Sequence, residues 1–159
     1  MGGSSLGEMG RPHNISQPIV ESLYCEALVL ADDVRAAFDL SPHRSESDDL
    51  TRIAMSAEGL RTTTRMMHLL AWLLNQRAHF AGELSEFQLR RHGALPADRP
   101  ADPDNLALFE PETRALIRET EALHRRVSRL DAAWRERFAA SPSSAARNLH
   151  ERLDRALGE

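Results

Sequence analysis

The chain contains no lysine: all 20 of its basic residues are arginine. That excludes Schiff-base chemistry on a lysine and any phosphate-binding loop built around one. There is one cysteine, Cys25. A single thiol forms neither an internal disulfide framework nor a cysteine-rich metal site, and it suits a reducing cytoplasm. Glycine-rich phosphate loops and nucleophile-elbow sequences are missing, so no enzyme signature is found. The longest apolar run, Met66 to Leu74, is far shorter than the roughly 20 residues that cross a bilayer. The opening, Met1 to Gly10, has no basic n-region and no apolar h-region, and no secretory signal is expected from it. Leu6 stands where myristoylation requires Ser or Thr.

What the chain does have is helical periodicity. Its 159 residues are 42% hydrophobic and 28% charged, with a net charge of -4. Those values suit one soluble domain and give no hint of a nucleic-acid partner. From Ser47 to Ala81, the residues Leu50, Ile53, Ala57, Leu60, Thr64, Met67, Ala71, Leu74, Ala78 and Ala81 alternate by three and four. They fall on one helix face and read as the stripe that organises the core. Beside them, Met66, Leu69, Leu70, Trp72, Leu73 and Phe80 make the helix apolar nearly all round, as a helix buried on several sides would be.

An earlier stripe, Val20, Leu23, Ala27, Leu30, Val34 and Ala37, predicts a first helix capped by Ser16 and stopped before Pro42. The stripe Leu116, Thr120, Leu123, Val127, Leu130 and Trp134 predicts a third, opened by Pro111. Ser47, with Asp48 and Asp49, suits the start of the central helix, and Gly82 its end. Ser85 is expected to cap a short helix, 85–91, followed by a Pro-rich loop, 93–105. Glu121 to Arg125 and Asp131 to Arg135 are acid-then-base pairs at helical spacing.

Several residues suggest chemistry and lose to plainer readings. Glu121 and His124 make a Glu-x-x-His unit, for which Glu26 and Glu58 are the available neighbours. A di-metal bundle needs that unit twice, so an exposed charge pair is preferred and no metal or cofactor is expected. The seven histidines include no helical pair four apart. His68 is read as a hydrogen-bonded core or interface histidine ahead of a pH-sensitive contact. Cys25 is expected to face inward or sideways as a small hydrophobe. Arg125, Arg126, Arg129, Arg135 and Arg137 are interleaved with acids, and a solvated face is preferred to a nucleic-acid footprint.

The stretch from Arg61 to Ala78, followed by Gly82 and Glu83, resembles the second helix of the alphaproteobacterial regulator of CtrA degradation (RcdA) family. The matching positions are Arg61, Thr63, Thr64, Arg65, Met67, Leu69, Trp72, Leu73, Leu74, Gln76, Arg77 and Ala78. Gly59, Thr62 and Asn75 depart from that pattern, and elsewhere only helix order and length agree. The resemblance implies a non-enzymatic adaptor in regulated proteolysis, tethering cell-cycle regulatory substrates to the ClpXP protease. Its implied partners are the ClpX unfoldase and a response regulator, in the cytoplasm and at the cell pole.

The expected architecture is thus all-α: an antiparallel three-helix bundle over 16–140, with helices at about 16–40, 47–81 and 111–139. Residues 1–15 are expected to be a disordered tail, and 141–159 a flexible tail with a short amphipathic helix. The apolar surplus on the central helix predicts a homodimer through Leu69, Trp72 and Leu73. Arg61, Arg65 and Arg77, together with Leu149, Leu153 and Leu157 in the tail, are the expected partner-binding residues. A helical-bundle transcriptional regulator or a ligand- or metal-binding protein is the alternative.

Overall fold

The computed structural model describes residues 15–39, 48–139 and 153. Among them are five helices, α1 (Gln17–Ala37), α2 (Asp49–Phe80), α3 (Glu86–Arg91), α4 (Pro103–Leu106) and α5 (Pro111–Ala139), and no strand. The all-α expectation holds. The expected tails, 1–15 and 141–159, lie outside the described residues apart from Ile15 and Leu153.

Local chemistry accounts for most helix ends. Ser16 is extended ahead of α1 and Pro18 occupies the first turn, but the Ser16 hydroxyl makes no capping bond. The fixed φ of proline, rather than that cap, opens the helix. Asp48 caps α2 by accepting from the Thr51 N–H at 3.1 Å. The Thr51 side chain, and after it this backbone bond, hold the Asp48 carboxyl below the ordinary carboxylate pKa. Gly82 leaves α2 at φ +78 and Gly93 follows α3 at φ +105, a region where a Cβ is strained. Ser85 and Gln88 form a reciprocal capping box at α3. The expected Pro-rich loop contains one helical turn, α4, where Asp102 accepts from the Asp104 N–H and Pro103 takes the first position.

The three long helices pack against one another. Arg77 of α2 meets Glu21 near the start of α1, whereas Phe38, just past its end, lies against Gly59. These two helices therefore run antiparallel. Arg65 reaches Thr120, and Trp72 reaches Asp131. Both numbers rise together, so α2 and α5 run in the same direction. The antiparallel expectation fails for that pair, because the long connection returns the chain to the end where α2 began.

The core lies among Val20, Leu23, Ala27, Leu30 and Val34 of α1, Met66, Leu69, Trp72 and Leu73 of α2, and Leu123, Val127 and Trp134 of α5. Leu89 and Leu95 of the connection join it, and Ala54, Phe109 and Ile117 form a second cluster. Each large aliphatic residue buried there contributes about 1.5–3 kcal/mol.

The stripe expected to form the core of α2 is its outer face instead. Leu50, Ile53, Leu60 and Met67 are all at least 64% exposed, and Leu74 is 47% exposed. The buried face carries Glu58, Thr62, Arg65 and Gln76 among its apolar residues.

Candidate protein-interaction surfaces

Glu58, Arg65, His124 and Asp131, polar residues buried on α2 and α5, have one common task. Between α3 and α5, residues 94–102 cross the two helices without regular structure. A covered backbone outside helix or sheet must find partners for its N–H and C=O groups. Here side chains from the long helices supply them. The Leu95 N–H donates to Asp131 Oδ2 (3.1 Å), and His124 Nε2 donates to the Pro96 carbonyl (3.0 Å). Arg65 donates to the Arg99 carbonyl (2.9 Å), and the Ala101 N–H donates to Glu121 Oε1 (2.8 Å). The Asp102 N–H donates to Glu58 Oε1 (3.1 Å), which also accepts from Asn105 (2.8 Å). Pro96 and Pro100 have no N–H to satisfy, which lowers the number of partners needed.

Arg65 is the centre of this clasp. Its side chain is 1% exposed and donates to Asp98 at 2.7 Å and Thr120 at 3.0 Å, with Glu121 at 3.6 Å. A guanidinium with this many fixed acceptors is a structural strut. Asp131 is the second centre, accepting from Trp72 Nε1 at 2.9 Å and from Arg135 at 3.1 Å.

These contacts correct several expectations. Arg65 has no surface left for a partner. Arg61 pairs with the buried Glu58. Arg77 pairs with Glu21 at 2.8 Å and lies 4.3 Å from the centre of the Tyr24 ring. Its hydrogen bond to Glu21 raises an already high guanidinium pKa. Leu69, Trp72 and Leu73 are buried within the chain, at 0%, 5% and 0% exposure, so they offer no dimer surface. Cys25 is exposed, against the expectation of a small buried hydrophobe facing inward or sideways. Glu121 turns to Ala101 and Arg65, while Asp131 and Arg135 form their expected pair. Glu26 pairs with Arg126 at 2.7 Å. No group of three or more His, Cys, Asp or Glu residues comes together among the described residues. Leu149 and Leu157 lie outside the described residues; Leu153 is helical and exposed.

Among the described residues, two apolar surfaces stand out as uncovered. One is the outer stripe of α2. The other is an open groove of about 730 Å³ between α1 and α5, floored by Pro18, Ile19, Leu23, Leu130 and Ala133, with Arg126 and Arg129 at its rim. Sequence reading missed the groove because its residues come from helix ends that only the packing brings together. It did register the α2 stripe, but placed it inside.

The fold and these surfaces define an all-helical domain with a clasped connection and no helix, among the described residues, long and apolar enough to cross a membrane. The chain belongs to the DUF1465 family, described as proteins of unknown function, whose pattern matches residues 12–157. No curated protein and no solved structure matches it.

Proposed function

We propose that this protein is a non-enzymatic adaptor in regulated proteolysis, acting in the cytoplasm and holding cell-cycle regulatory substrates beside the ClpXP protease. Tethering needs two binding surfaces and no bond chemistry, because its effect is to raise the local concentration of substrate at the unfoldase. The observation that carries the reading is the α1–α5 groove, an apolar trough with Arg129 and the Glu26-paired Arg126 on its rim. That composition suits an apolar protein segment flanked by acids. The second surface is the C-terminal segment, where Leu149, Leu153 and Leu157 recur every four residues. The family match runs through residue 157, so this segment belongs to the family unit along with the bundle.

The resemblance of the Arg61–Ala78 stretch to the RcdA family supplies the identity of the proposed partners, ClpX and a response regulator. The test is capture with the tagged full chain from its own lysate in the presence of a non-hydrolysable ATP analogue. Ser22 is exposed in the groove wall, so Ser22→Trp fills the trough without touching the core. Recovery of ClpX or the response regulator, reduced by Ser22→Trp or by truncation at Ser143, supports the reading. Recovery of the chain alone overturns it.

A further inference from the structure

The groove between α1 and α5 has walls that limit what can lie in it. On the α5 side it runs from Arg126 to Ala133, about 10 Å or two helical turns. Both walls are helices. Apart from the first turn of α1, their backbone N–H and C=O groups are spent on their own turns. An extended segment laid here would therefore leave much of its backbone without partners, whereas a helix arrives with its backbone already paired. Ser22 and Ala133 are small, which lets the axis of a third helix come close. Ile19, 38% exposed, and the half-buried Leu130 are left for its side chains to cover.

The charges select the flank. No acid lines the groove, although the chain as a whole carries a net charge of -4. Of the two guanidinium groups on the rim, Arg126 is held by Glu26 at 2.7 Å. Arg129 is exposed, and its guanidinium makes no hydrogen bond or ion pair among the described residues. An apolar trough with one uncompensated cation on its α5 wall favours a carboxylate beside the apolar face of whatever docks, and disfavours a second cation there.

We infer that the groove takes an amphipathic helix of a partner protein. Three apolar residues of that helix, spaced by three and four, fill the two-turn trough, and a glutamate or aspartate on its flank meets Arg129. This deepens the adaptor reading, from which it takes the groove as the place where a partner binds. It commits that site to one kind of occupant, helical and acidic.

The test uses the purified full chain and two synthetic peptides of about 15 residues, long enough to become helical on docking. Both carry the same leucine stripe; one has glutamate on both flanks of it and the other lysine. Binding is read by fluorescence anisotropy of the labelled peptide. The wild type binds the glutamate peptide about tenfold or more tightly than the lysine peptide, and the margin narrows as salt is raised. Arg129→Glu keeps its helicity in circular dichroism and inverts the preference, a result that loss of folding cannot produce. Ser22→Trp weakens both peptides.

Equal binding of the two peptides, binding of neither, or binding that Ser22→Trp leaves unchanged overturns the inference. So does a site that opens only on truncation at Ser143, which gives the groove to the chain's own C-terminal segment. A change in sedimentation on Ser22→Trp gives it to a second copy and overturns it as well. No protease enters this experiment, so its failure is separable from that of the adaptor reading. Capture of ClpX without the peptide preference removes the inference alone; the peptide preference without capture removes the adaptor reading and leaves the groove its helical, acidic ligand.

Discussion

Replacing Arg65 by Met decides whether this arginine braces the fold or faces a partner. Methionine keeps the length of the side chain and fills much of the same volume. It removes the donors to Asp98, Thr120 and the Arg99 carbonyl. Removing one partner of a buried ion pair costs about 3–5 kcal/mol, because the groups left behind are uncompensated. Asp98 and Glu121 keep 21% and 16% of their side-chain surface in water, so they rehydrate in part and the loss falls at the lower end. For a chain of this size each kcal/mol lowers Tm by about 2–4 °C, giving a fall of roughly 10 °C. Urea unfolding followed by circular dichroism measures it directly. Asp98→Asn keeps an acceptor and loses only charge, so it costs less, about 1 kcal/mol. The double variant is less destabilised than the two single losses together, since the same contact is removed twice. A loss below about 1 kcal/mol for Arg65→Met refutes the clasp, because surface arginines behave that way.

Three further substitutions test neighbouring parts of the structure. Thr62 is fully buried and its hydroxyl has no hydrogen-bond partner among the described residues; Thr62→Val therefore stabilises by about 1 kcal/mol, and a fall in Tm would count against the packing around it. Leu73→Arg, which an interface position would tolerate as a soluble monomer, instead puts an unpaired charge into the core. It costs about 4 kcal/mol or more, read as lost helicity, and an intact, folded variant would refute the burial of α2. The cap of α2 is pH-dependent. Asp48 has a folded pKa below its unfolded value, held there by the Thr51 hydrogen bonds. Its contribution is therefore present above about pH 4 and lost as pH falls through the folded value. Asp48→Asn keeps the cap and removes that acid dependence, measured as helicity against pH. An unchanged acid profile in the variant would assign the transition to other groups.

The helices themselves were legible in the sequence because local chemistry marks them: Gly82 and Gly93 at positive φ, the box at Ser85 and Gln88, and proline at the start of α5. The α1 and α5 stripes were legible because each of those helices has one apolar face and little competition. On α2 two faces competed, and hydrophobicity favoured the wrong one. Glu58, Thr62, Arg65 and Gln76 look like surface residues, yet all four are at 2% exposure or less. Nothing local says so. The burial of Glu58 and Arg65 depends on where residues 94–102 pass, and a proline-rich connection has no periodicity from which its path can be read. Once it lies across α2 and α5, its carbonyls and N–H groups need partners, and Arg65 and Glu58 are among the side chains that supply them.

That inversion changes what the matched residues mean. Arg61, Arg65 and Arg77 stood out because they coincide with the RcdA pattern, and a partner surface was placed on them for that reason. Each is engaged within its own chain, to Glu58, to Asp98 and to Glu21. A resemblance carried by such residues speaks first for the fold, and the partners it implies must be met by other surfaces of the chain. The evidence for partners rests instead on residues that do no work inside the chain. Leu50, Ile53, Leu60 and Met67 stabilise nothing in the protomer while exposed to water, and their regular spacing is the feature that folding of the single chain leaves unexplained.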